Sequence, residues 1–169
     1  MNKAVLIVLA LAAAVACGWY FLWPSEEARV RKSFKEVAAA LEKDGSEANM
    51  DSVRKARHAA AFVEPGCTFE LAIGEDTQKF TLSKVAADIT QQVVVYRMNV
   101  SRIHMSFEDL KVALTDKNTA EAACDFFYEG EGFGWGGRDA RTLEATLRKD
   151  PESGRWRFAR VRLSNIIEK

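Results

Sequence analysis

The chain of 169 residues carries 24 Lys plus Arg against 24 Asp plus Glu, so its net charge is zero and its pI is near 6.7. That balance removes the global electrostatic case for nucleic acid, which needs a basic surface. With two His and three Cys, no spacing of the zinc or iron type arises, so neither a metal nor another cofactor is expected.

Ala4 to Trp23 is an apolar run without a charge, behind Lys3. A helix rising about 1.5 Å per residue needs about 20 residues to cross a hydrocarbon core of about 30 Å, and this run supplies them. It ends in Trp19, Tyr20, Phe21 and Trp23, rings suited to the headgroup zone, just before Pro24. Residues 1–24 therefore read as a transmembrane signal-anchor, with residues 4–23 in the membrane, and residues 25–169 as a soluble domain. The three-residue head inserts most simply with the head inside. The domain is then expected on the periplasmic or extracellular side of a bacterial inner membrane, held by a single pass.

Two other readings of this segment stay open. Ala14-Val15-Ala16 fits a signal-peptide cleavage site. With Cys17 directly behind, the segment resembles a lipobox, and Cys17 would then be the lipidated residue of a lipoprotein. Cleavage before Cys17 would leave Trp19, Tyr20, Phe21, Leu22 and Trp23 near a new terminus exposed to water, which favours the retained anchor.

Ser25 with Glu26 and Glu27 behind it forms a helix cap, and Val30, Phe34, Val37, Ala38 and Leu41 give one apolar stripe to about Lys43. Asp44-Gly45 ends that helix, and a second runs from about Met50 to Phe62. Glu64-Pro65-Gly66 reads as a breaker before a strand at Cys67–Ile73. A hairpin at Gly74–Thr77 leads to a strand at Lys79–Leu82, and Ser83 caps a third helix to roughly Arg97.

Strands fill the rest. Val100–Leu114 alternates through Ile103, Met105 and Phe107 and then changes parity to Leu110, Val112 and Leu114, which predicts a bulge near Glu108-Asp109. Asp116-Lys117-Asn118 turns into a strand through Ala120, Ala122, Cys124, Phe126 and Tyr128. The glycine-rich loop Gly130–Gly137 precedes Ala140–Lys149, and Asp150–Gly154 turns into Arg155–Ile167. Ser106–Glu131 sums to −5 and Arg138–Lys169 to +4, as adjacent strands with complementary solvated faces would. Cys67 and Cys124 fall at apolar strand positions and read either as buried free thiols or as a disulfide pair.

Three helices followed by a meander of long bent strands is an α+β order with few solutions. In this order stand Phe62-Val63-Glu64-Pro65-Gly66-Cys67-Thr68-Phe69, Asn118-Thr119-Ala120-Glu121-Ala122 and Arg155-Trp156-Arg157-Phe158-Ala159-Arg160-Val161. On these segments the chain resembles the nuclear transport factor 2-like (SnoaL-like) superfamily from about Ala28 to Ile167. The resemblance implies a cone of about three helices on a curved antiparallel sheet, the cystatin-like arrangement. It also implies one of several roles: isomerase, cyclase, dehydratase, ligand binder or interaction module.

The inward positions inferred from alternation include Phe34, Val37, Leu41, Phe69, Leu71, Ile103, Met105, Phe107, Cys124, Phe126, Leu143 and Leu147, none of them an acid or base. The expectation is therefore a non-catalytic extracytoplasmic domain that binds a protein partner or a small apolar ligand. Phe133 and Trp135 of the glycine-rich loop would press on that partner, and a homodimer would form through the sheet face. The alternative is an isomerase, cyclase or dehydratase acting on a small apolar substrate in the cone, with Tyr96, Tyr128 or His104 as acid–base group.

Overall fold

The computed structural model describes residues 24–45, 47–73, 76–132 and 137–165. Along these residues run α1 (Glu26–Leu41), β1 (Lys43–Asp44), α2 (Asn49–Ala60), β2 (Val63–Ile73), β3 (Asp76–Thr81), α3 (Ala86–Asn99), β4 (Val100–Leu114), β5 (Thr119–Gly132), β6 (Gly137–Lys149) and β7 (Trp156–Asn165). All the strands join one sheet in the order β1-β4-β5-β6-β7-β2-β3. The α+β order is as expected, but the sheet is mixed rather than antiparallel. β2 lies parallel to β7, with Phe69 opposite Val161 and Leu71 opposite Leu163. A parallel pair needs a long crossover, and here the crossover comprises β3, α3 and the β4–β6 meander.

Ser25 caps α1 as its side chain predicts, its Oγ accepting from the Ala28 amide at 3.2 Å. The helix stops at Leu41, earlier than the Asp44-Gly45 signal, because Lys43 and Asp44 leave it to pair with Ile103 and Arg102. Val30 and Phe34 are buried against the sheet. The Phe34 ring meets Phe107 and Phe158 edge-on, with centroids 5.1 and 4.8 Å away. Burying such a ring contributes about 1.5–3 kcal/mol. Glu26 closes this end of the core, accepting from Lys149 Nζ and Trp156 Nε1, both at 2.9 Å. Burial raises its pKa, but those two bonds outweigh that and hold the carboxyl below its ordinary value.

Pro65-Gly66 does not break β2. The strand begins at Val63, and its register against β7 jumps between Val63 and Thr68. A proline without an amide hydrogen and a glycine at φ 82° suit a bulge, where the ladder asks for neither donor nor standard dihedral. The bulge expected in β4 is present: the pairing with β5 shifts between Glu108 and Lys111, and Asp109 takes φ 51°.

No helix among the described residues is long and apolar enough to cross a membrane. The expected anchor at residues 4–23, Cys17 within it, and Phe133 and Trp135 all lie outside the described residues.

Candidate active site

The concave face of the sheet is set by the pleat. On β6, Leu143, Ala145 and Leu147 are buried, so odd positions point inward. Cross-strand partners share a face, and Leu143 stands opposite Cys124 and Leu163. Toward the other end of β5 the same face presents Phe126 and then Tyr128. α3 meets this end from above: the Tyr96 hydroxyl lies 2.8 Å from the Tyr128 hydroxyl.

Burial pushes the Tyr96 phenol up, and its hydrogen bond with Tyr128 adds to the rise. Tyr96 therefore keeps its proton at neutral pH. Gly130 makes the arrangement fit. A Cβ there would stand 2.9 Å from Cε1 of Tyr128 and closer still to Cζ and the hydroxyl, so the ring leans over a residue with no side chain.

Two charged residues that sequence reasoning missed complete this end. Asp139 is the cross-strand partner of Tyr128, and Arg141 that of Phe126. Both continue the inward parity of Leu143. Directly opposed residues of an antiparallel pair hold their Cβ atoms about 4.5–5.5 Å apart, so Asp139 and Tyr128 are immediate neighbours. Arg141, only 18% exposed, donates from Nε to Asp139 Oδ2 at 2.7 Å. Its NH1 group donates to the Ala72 carbonyl at 3.0 Å and to Asn165 Oδ1 at 3.2 Å. The signal was available, since extending the β6 alternation back from Leu143 puts both on the inward parity.

Directly behind Tyr96, Arg97 is fully buried. It donates to the α1 carbonyls of Ala40 at 2.9 Å and Leu41 at 2.7 Å, and to Glu47 Oε2 at 2.6 Å. Lys43 Nζ donates to the Arg97 and Val100 carbonyls, each at 2.6 Å. These bonds fix the last turn of α3, and with it Tyr96, to the end of α1.

The other sequence candidates stand apart from the tyrosine pair. His104 has the outward parity and is 62% exposed, with Nδ1 3.4 Å from Glu42 Oε1. Cys67 and Cys124 are free thiols in the core. Burial drives each up to about 12, helped by the nearby charges of Glu64 and Asp125, so neither is a nucleophile. Among the described residues no cluster of His, Cys, Asp or Glu is able to hold a metal ion. A groove of about 460 Å³ runs between α1 and β4, and a depression of about 440 Å³ lies on the convex face beside Glu121 and Arg160. Neither includes Tyr96 or Tyr128.

Solved structures match this arrangement over most of its length. A candidate scytalone dehydratase from Novosphingobium aromaticivorans aligns with a TM-score of 0.60 at 10% identity, over 84% of this chain and 85% of its own. A candidate dehydratase from the NTF2-like family of Streptomyces avermitilis aligns with a TM-score of 0.60 at 11% identity, over 85% and 98%. The chain has the NTF2-like fold. The hexachlorocyclohexane dehydrochlorinase LinA Type2 shares this NTF2-like fold with a TM-score of 0.56 at 10% identity, over 85% of this chain and 86% of its own. No protein-family profile and no curated protein matches the sequence.

The expectation of a non-catalytic binding domain is corrected by this NTF2-like set, whose named members are mostly enzymes. The physical reason for the error is local. The inward list stopped at Leu143 on β6, and so held no acid or base where the strand in fact presents Asp139 and Arg141. At these identities the NTF2-like neighbours show fold alone, and the chemistry rests on this chain's own residues.

Proposed function

We propose that the domain is an enzyme of the isomerase or dehydratase kind, acting on a small apolar substrate that carries a carbonyl or phenolic oxygen. The observation that carries this reading is the Tyr96–Tyr128 hydroxyl pair, 2.8 Å apart at one end of an apolar concave face. One hydroxyl donates to the other, so the pair presents a single free O–H, and a substrate oxygen beside it accepts that bond. Negative charge that develops on that oxygen is then met by a preorganised donor backed by the second hydroxyl. Phe126 and Leu163, partly buried beside this end, offer apolar contact for the rest of the molecule. The apolar run at residues 4–23 would tether the enzyme to the membrane and set it outside the cytoplasm.

The test uses 2-tetralone, an apolar ketone with exchangeable α-hydrogens, followed by proton NMR in deuterated buffer. The protein is expected to accelerate exchange, and Tyr128→Phe and Tyr96→Phe each to slow it by about 10²-fold, the cost of removing one such donor. Equal rates for the unaltered protein and both variants, or no acceleration at all, overturn the reading.

A further inference from the structure

We infer that the groove between α1 and β4 receives an extended acidic peptide of another protein, which joins the sheet as a strand along β4. Neither tyrosine borders this groove, so the site is separate from the proposed chemistry.

The sheet leaves the place vacant. β1 is its outermost strand on this side, yet it pairs with β4 only at Ile103 and Arg102. β4 runs on to Leu114, and no strand among the described residues covers that continuation. From His104 to Glu108 its pairing with β5 is regular, so alternate residues turn their N–H and C=O groups to the uncovered side. The stretch ends at the bulge, where Arg31 NH1 donates to the Leu110 carbonyl in place of a strand. Such a bare row of backbone groups is a template for pairing.

The helix forms the other wall of the groove, whose volume is about 460 Å³. Arg31, Lys35, Ala38 and Glu42 recur at three- and four-residue spacing, so one stripe of α1 faces Ser106, Phe107 and Leu110. From Arg31 to Glu42 the helix rises about 16 Å, the length of about five residues of extended chain. A strand set beside a helix offers an added peptide main-chain hydrogen bonds on one side and side-chain contacts on the other.

Charge selects the occupant. Neighbouring cations of α1 are matched along the helix, Arg29 by Glu26 at 3.1 Å and Lys32 by Glu36 at 3.5 Å. Arg31 and Lys35 line the groove and form no ion pair among the described residues. They stand one turn apart, a rise of about 6 Å, close to the roughly 6.7 Å between alternate residues of a strand. Acids at alternate positions therefore reach both cations. Ala38 and Ala39 leave room beyond them for a branched apolar side chain against Phe107. Running antiparallel to β4, as β1 and β5 do, the peptide has its N-terminal half at Arg31 and Lys35. Glu42, beside His104 at the far end, repels a free C-terminal carboxylate, so the segment is internal to its own protein.

The experiment titrates the full chain against the fluorescein-labelled, amidated peptide Glu-Thr-Glu-Thr-Val-Thr-Lys and reads fluorescence anisotropy. Lys35 is exposed, so Lys35→Glu leaves the fold in place, and a thermal melt checks this. K35E is expected to weaken binding by about tenfold, and Arg31→Glu by at least as much. The peptide with Lys in place of both Glu should bind the double variant better than it binds the unaltered chain. N-methylation of one alternate set of peptide amides should weaken binding by about tenfold or more, and of the other set by less than about twofold, because only one set faces β4. No binding by the unaltered chain, or equal binding by K35E, overturns the inference. Equal effects of the two methylation sets also overturn it, and displacement of the label by oleate then assigns the groove to an anionic amphiphile. None of these outcomes bears on the tyrosine pair.

Discussion

The Tyr128 ring fills the volume that a side chain at position 130 would need, so Gly130 and Tyr128 are two halves of one fitted piece on the concave face. A methyl group added at 130 has no soft neighbour to displace, because what it meets is the phenol that bonds Tyr96.

Gly130→Ala is therefore expected to expel the Tyr128 ring, break the hydroxyl pair, and cost about 1–3 kcal/mol as overpacking does. In a Tyr128→Ala background the same substitution should cost much less. A double-mutant cycle from denaturant melts reads this as a coupling above about 0.5 kcal/mol. Additive costs would mean that the ring does not lie where it is described.

The pairing of Glu47 with Arg97 makes a second prediction. Burial pushes the Glu47 carboxyl up, but hydrogen bonds from Lys55, Ser52 and Arg97 outweigh it and bring the pKa from 4.5 down to about 2. A folded pKa below the unfolded one stabilises the native state above the unfolded value, and that stability is lost as pH falls from about 4.5 toward 2. Glu47→Gln removes this acid limb. At neutral pH it also strands the buried Arg97 guanidinium, at a cost of about 3–5 kcal/mol. Urea melts at pH 7, 4 and 3 should show the gap between the two proteins narrowing as pH falls.

Cys67 and Cys124 give the third. With both thiols held protonated in the core, alkylation by iodoacetamide at pH 8 should be negligible in the native protein and complete in urea. Peptide mass spectrometry resolves the two sites. Rapid native labelling of either one would mean that its strand opens readily.

Much of the architecture was readable from local signals. Ser25 with two acids marked a helix start, and the parity change after Phe107 marked the β4 bulge. What escaped was non-local. Pro65-Gly66 looks like an ending to any scan along the chain, because only the partner strand reveals that the ladder skips there. β2 lies beside β7 for a reason that no window of neighbouring residues contains. The tyrosines of the candidate site were visible as polar residues on apolar stripes. Asp139 and Arg141 were passed over because charged residues at the start of a strand read as a solvated end, although the parity of Leu143 already aimed them inward. Arg97 looked like an ordinary C-terminal cation of a helix. Its burial follows from the end of α1 and the Glu47 carboxylate closing around it, which is a tertiary event.

The parallel pairing of β2 with β7 has a consequence during synthesis. Phe69 waits for Val161, which emerges about ninety residues later. Until then the β2–β3 hairpin has no neighbour on its inner edge, and α1 has no Phe158 or Trp156 to cover. The nascent chain must carry this open edge past the ribosome exit with nothing native to shield it. Slower folding and an exposed strand edge over this interval are the physical cost of closing the sheet with its last strand.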